Sequence, residues 1–281
     1  MTFRTYRQVT GDDASQLAAQ VEAQRARIQE RLRAVRGIVA VMSGKGGVGK
    51  SSLTASLATA LQRRVPNDIG VLDADLKSPT VARLLAASGP LRVTSDGVHP
   101  ATGMGGVRVV STDLLLDEGQ PLSWREPEQE RFVWRGVLEA GALREFLSDV
   151  VWKGIDILLI DLPPGADGVS DLHALVPQLS GAIIVTIPTD ESRRSVARTM
   201  RAAVDAKIPL LGLVENMSGA VCGDCGATVP MFPGNAGEQL AAEFGVALLG
   251  RVPFQRAERT PHDSPLDAPR PLVDRMLELV K

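Results

Sequence analysis

The chain has 281 residues, 44% of them hydrophobic and 23% charged, and its formal charge is −2. That balance gives no electrostatic drive toward nucleic acid or an anionic membrane surface, and no apolar run approaches the roughly 20 residues of a membrane span. The opening MTFRTYRQVTGDD lacks a signal-peptide core, and 2 cysteines are too few for a disulfide framework, so a cytoplasmic location with no nucleic-acid or membrane partner is expected.

Residues 14–36 carry Ala, Gln, Glu and Arg with no Gly or Pro, and predict a solvated helix. The expected division is a helical extension over 1–36 and one domain over 37–281, which includes the cysteine segment 222–225. From residue 37 onward, apolar runs alternate with helical patterns. Strands are predicted over 38–42, 69–72, 107–111, 155–160, 182–187, 210–215 and 246–250. Helices are predicted over 50–62, 136–150, 170–178, 192–205, 236–244 and 271–280. The runs are continuous rather than alternating, as in parallel strands buried on both faces. An α/β fold follows: a doubly wound, mostly parallel sheet with helices on both faces. Segments 88–100 and 117–131 read as surface excursions, the second anchored by Trp124 and Trp134.

The run Gly44, Lys45, Gly46, Gly47, Val48, Gly49, Lys50, Ser51 fits G-x-x-x-x-G-K-[ST] and adds a lysine after its first glycine. It lies between a predicted strand and a predicted helix, the context the motif needs. There the loop's N–H groups, continued by Ser52, point at a phosphate chain and the helix N-terminus adds partial positive charge. Lys50 would reach the β- and γ-phosphates and the Ser51 hydroxyl would hold Mg²⁺.

Two acids, Asp73 and Asp75, end the run at 69–72, and Asp161 ends the run at 155–160 before Leu162-Pro163-Pro164-Gly165. Ligands in open α/β sheets collect at the carboxyl ends of strands. One acid of the first pair can orient water and the other support Mg²⁺, while Asp161 can bind the Mg²⁺ shell and sense the γ-phosphate. Cys222-Gly223-Asp224-Cys225 lets two thiolates bind one metal or cluster. A tetrathiolate site needs four, so two chains share a site or the pair acts alone; zinc and an iron–sulfur cluster both remain open. The 3 histidines, His99, His173 and His262, have no ligand partners at metal spacing.

Together these runs, with Val133-Trp134-Arg135-Gly136, Val214-Glu215-Asn216-Met217-Ser218 and Leu249-Gly250-Arg251-Val252-Pro253, resemble the Mrp/ApbC family of iron–sulfur cluster carriers, deviant-Walker-A P-loop ATPases. The resemblance runs from Arg36 to the C-terminus. It implies a homodimer that hydrolyses ATP with Mg²⁺, binds one 4Fe–4S cluster between paired C-x₂-C motifs and delivers it to apo iron–sulfur proteins. It makes Lys45 a lysine that contacts nucleotide across the dimer, Asp75 the water-orienting acid, Asp161 the Mg²⁺-linked acid, Asn216 an adenine contact, and Cys222 and Cys225 cluster ligands. Three departures stand out: Ala166-Asp167-Gly168 replaces the family's Thr-Gly-Asp, Lys77 stands where an aromatic is common, and residues 125–132 read as an insertion. The loop alone also suits positioning ATPases of the MinD and ParA types, and structural Zn²⁺ at shared cysteines is the third alternative.

Overall fold

The computed structural model describes residues 17–65, 67–115, 141–166, 168–222, 224–254 and 268–280. Asp167, Trp124, Trp134, His262, the excursion at 117–131 and the first part of the helix expected at 136–150 lie outside them.

The chain begins with helix α1 (Leu17–Leu32) and strand β1 (Gly37–Ser43), then α2 (Lys50–Gln62) and β2 (Asp68–Asp73). A single-turn α3 (Val81–Leu84), a hairpin of β3 (Arg92–Thr94) and β4 (Gly97–His99), a short β5 (Ala101–Thr102) and β6 (Arg108–Val110) follow. Residues 141–149 form α4, which leads into β7 (Ile155–Asp161), α5 (Val169–Leu175), β8 (Gly181–Thr186) and α6 (Asp190–Asp205). The chain continues through β9 (Leu210–Val221), β10 (Thr228–Val229), α7 (Ala236–Phe244), β11 (Leu248–Phe254) and α8 (Arg270–Leu277).

Nine strands form one sheet in the order β10-β9-β8-β1-β7-β2-β6-β5, with β11 also paired to β9, and β3 and β4 pair only with each other. All pairings along β11, β9, β8, β1, β7, β2 and β6 are parallel, and only β5 and β10 run antiparallel. Every residue of β1, β7 and β8 is buried, which explains their unbroken Val/Ile/Leu character. The chain winds outward from β1 to β2 and β6, returns to β7 beside β1, then winds the other way through β8 and β9. That reversal opens a crevice at the carboxyl edge around β1 and β7.

Helix α1 is not simply solvated. Ile28 and Leu32 are buried in the common core. Arg31 Nε donates to the Ser148 carbonyl at 3.2 Å, and its Nη2 donates to the Asp96 carbonyl. The excursion at 88–100 is ordered by the β3–β4 hairpin. Strand β9 runs six residues past its expected end at Glu215, because β11 and β10 continue to pair with it after β8 stops.

Candidate functional site

The ends of β1, β7 and β2 are in register, Val41 opposite Asp161 and Asp161 opposite Asp73. The loop at 44–51 springs from the first of these and wraps into α2, so both kinds of acid lie beneath it. Gly47 and Gly49 have φ of 76° and 81°, left-handed values that a side chain resists. Gly49 is also the N-cap of α2 and supplies no side-chain cap, which leaves the first N–H groups of the helix for an anion. Gly44 answers a different demand: a Cβ there would lie 2.3 Å from the Val196 nitrogen, because α6 packs directly against the loop. Ser195 Oγ fastens the contact by donating to the Gly44 carbonyl at 2.6 Å.

Asp161 is fully buried and accepts three hydrogen bonds. Lys50 Nζ donates to its Oδ2 at 2.7 Å, Ser51 Oγ to the same oxygen at 2.6 Å, and Thr54 Oγ1 to Oδ1 at 2.7 Å. A charge so deeply placed persists only when paired and fully hydrogen-bonded. The pairing also fixes the loop's ammonium and hydroxyl beside each other. Sequence reasoning missed Thr54, although it lies one helical turn from Lys50 and Ser51 on the same face.

Asp73 and Asp75 are used differently. Asp73 Oδ2 accepts from the N–H groups of Thr80 and Val81 at 2.9 and 3.0 Å and from Ser111 Oγ at 3.3 Å, and its Oδ1 accepts from the Asp75 N–H at 3.2 Å. It thereby caps α3. Burial first, and the charge of Asp161 second, push its carboxyl up to about 7. Asp75 lines the open space above the loop, and burial raises its carboxyl against the opposing pull of Lys50. That space is a cavity of about 430 Å³ walled by the loop and Ser52, Asp75, Ser78, Thr80, Leu84 and Pro164. Asp73 and Asn216 are not among its lining residues. The Lys45 ammonium reaches Glu191 Oε2, 3.3 Å away at the start of α6.

Asn216 lies behind the loop on β9 and its Nδ2 donates to the Val48 carbonyl at 2.8 Å. Glu215 beside it is buried, accepting from the Gly237 N–H at 2.6 Å and from Arg251 Nε at 3.1 Å. Six residues further on, β9 delivers Cys222. A tight turn carries both cysteines: the Cys222 N–H donates to the Ala227 carbonyl and the Gly226 N–H to the Cys222 carbonyl, each at 2.9 Å. Backbone N–H groups of Cys225 and Asp224 aimed at the Cys222 sulfur hold its thiol below the usual range. Both thiols are free, Cys225 exposed and Cys222 partly so. No group of three or more His, Cys, Asp or Glu side chains suited to a metal occurs among the described residues. Around the turn Val221, Val229, Met231 and Phe254 are exposed, an apolar rim in which Phe254 and Val229 both pair with Ala220.

A parallel sheet with a glycine-rich loop over its switch point, and a lysine and serine locked to a buried strand-end aspartate, defines a P-loop NTPase. Over residues 34–270 the chain matches the family model described as ParA, NUBPL iron-transfer P-loop NTPase, and it belongs to that family. It is 37% identical to an iron–sulfur cluster carrier protein of Methanocaldococcus jannaschii, over 90% of this chain and 84% of the relative. It is 39% identical to the cytosolic Fe–S cluster assembly factor CFD1 of Chaetomium globosum, over 79% of this chain and 76% of that protein. Among solved structures it resembles a nucleotide-binding protein of Archaeoglobus fulgidus in complex with ADP, with a TM-score of 0.66 and 30% identity over 91% of this chain and 90% of the other. The cell division ATPase MinD of Pyrococcus furiosus shares the fold, with a TM-score of 0.55 at 20% identity over 86% of this chain and 99% of MinD. No described helix is long and apolar enough to cross a membrane.

Proposed function

We propose that the protein is a cytoplasmic, ATP-hydrolysing carrier that holds a 4Fe–4S cluster between two copies of itself and passes it to apo iron–sulfur proteins. The observation that carries this reading is the half-built thiol site, in which Cys222 and Cys225 supply two ligands on an exposed turn with no third candidate grouped beside them among the described residues. A cluster with four thiolate positions is completed by a second copy. The apolar rim around the turn favours contact with such a copy over open solvent.

In this reading the N–H groups at 44–52 and the ammonium of Lys50 take the phosphates, and Ser51 with Asp161 holds Mg²⁺. The residues present suit that load: the helix end is uncapped, the loop glycines leave room for close approach, and an ammonium and a hydroxyl are already fixed together. Bound Mg²⁺ would neutralise phosphate charge. Asp75, in the cavity wall, orients the attacking water, and Asp73 supports it from below by holding α3. Asn216 keeps its Oδ1 for the adenine amino group. Lys45 leaves Glu191 to reach nucleotide on the partner chain, which makes turnover slow and dependent on protein concentration.

Anaerobic reconstitution with iron and sulfide tests the proposal. One cluster per two chains, with absorption near about 400 nm, is expected, and none in the Cys222→Ala chain. Zinc at half-stoichiometry without iron in protein purified anaerobically would overturn the cargo and leave a zinc-stapled dimer. ATP-dependent co-sedimentation with liposomes or DNA would point instead to a positioning ATPase.

A further inference from the structure

Strand β9 links the two halves of the site in an unusual way. Up to Glu215 it is clamped on both sides, by β8 and by β11. Beyond that point β8 stops, and between Asn216 and Ala220 the register with β11 slips, so that four steps along β9 match two along β11 from Val252 to Phe254. Met217, in the middle of this buckle, has a φ of 53°. A methionine is rarely left-handed, and such a residue persists only where its surroundings impose it. Within the buckle β9 and β10 approach closely, since a Cβ on Gly219 would lie 2.6 Å from Thr228 and 2.7 Å from the Val229 carbonyl. The thiol-bearing β9–β10 hairpin therefore follows directly on a buckle with one left-handed methionine in it, and β11 rejoins β9 only at Ala220.

The residue just before Met217 holds the phosphate loop. Asn216 Nδ2 engages the Val48 carbonyl. In a planar trans peptide the C=O and the following N–H point opposite ways. Holding the Val48 carbonyl outward thus turns the Gly49 N–H away from Asn216, on a loop residue that lines the cavity. A phosphate accepting from that N–H polarises the same peptide and strengthens the Asn216 bond behind it. Cys222 is six residues along β9, at most roughly 20 Å away at about 3.3 Å per residue.

We infer that Asn216 and Met217 form a coupling hinge, in which phosphate on the loop tightens Asn216, fixes the left-handed turn at Met217 and holds the two thiols in one arrangement. Met217 is a positioning residue in this scheme. The inference rests on the reading that the loop binds nucleotide, but not on the identity of the metal cargo.

The test uses the full-length, reduced, metal-free protein and iodoacetamide as the probe, with alkylation of Cys222 and Cys225 followed by mass spectrometry with and without saturating ADP. In the wild-type chain ADP slows alkylation by about fivefold or more, a typical coupling between sites. Met217→Gly frees the backbone and brings the ratio close to one while nucleotide affinity, measured on the same samples, is unchanged. Met217→Asn removes the same side chain but tolerates the left-handed turn, and keeps the wild-type ratio. A wild-type chain that binds ADP without any change in thiol reactivity overturns the inference and leaves the carrier reading intact. So does a Met217→Gly chain that keeps the ratio, or a Met217→Asn chain that loses it. Failure to bind ADP at all would instead sink the nucleotide reading along with it.

Discussion

The phosphate loop and the cysteine turn, joined by one strand, are built on opposite plans. Around the loop the carboxylate and carbonyls are held by partners inside the chain while the N–H groups at the start of α2 stay free of a side-chain cap: Asp161 takes three donors, Gly44 is pinned by Ser195, and Val48 by Asn216. The cysteine turn presents two thiols with no further metal-binding companions among the described residues, set in an exposed apolar rim. The first is preorganised, so little ordering is left to be done when a ligand arrives. The second is left incomplete, with two thiol donors where a tetrathiolate site needs four.

Substitutions that strike each side separately sharpen the contrast. Lys50→Ala has the largest expected effect, because it leaves Asp161 charged and buried without its cation. It should lower folding stability by about 3–5 kcal/mol in urea denaturation and abolish nucleotide binding by equilibrium dialysis. Gly44→Ala comes next. The added methyl meets the α6 backbone, so a loss of about 2 kcal/mol or more is expected from overpacking, with weakened nucleotide binding and intact cluster uptake.

The pH response of Asp73 is smaller and has a definite sign. Its carboxyl rises from 3.8 to about 7 on folding, so between these values the native state holds a proton that the unfolded chain has released. Stability contributed at this position is therefore greatest at low pH and falls as pH rises toward 7, by at most about 1.4 kcal/mol per unit. The wild-type chain should lose stability relative to Asp73→Asn across that window in denaturation curves taken at several pH values; a flat difference would show that the proton is not there. Cys222→Ala closes the series. It should change stability by less than about 0.5 kcal/mol and leave ADP affinity alone, and a drop of several kcal/mol would mean that the turn is a structural staple instead of a docking site.

The loop-side chemistry was legible in the sequence wherever it was local. The strand–loop–helix at 38–62 and the acid at the end of β7 follow from hydrophobic runs and a spaced motif, and the structure brings Lys50 and Ser51 onto Asp161. What escaped notice depends on distant packing. Ser195 and Gly44 are 151 positions apart and Asn216 and Val48 are 168 apart, and no periodicity marks either pair. The α3 turn is only 4 residues long, too short for a helical period to register, and exists because Asp73 caps it. The strand predicted over 210–215 stops short of 216–221, whose Ser, Gly and Asn carry no strand period, whereas pairing with β11 and β10 carries β9 on to Val221.

The central position of β1 also has a consequence for synthesis. Gly37 pairs with Ile157 and Val39 with Gly181, so the strand that launches the phosphate loop has no sheet neighbour until β7 has left the ribosome. Pairings this distant in sequence form late and slowly. A nascent chain exposes an apolar strand and an unformed anion cradle throughout that interval, and the Asn216 brace arrives later still. The cradle thus takes shape only once β7, β8 and β9 are in place, and a nucleotide that binds the folded chain alone would pull the folding equilibrium toward it.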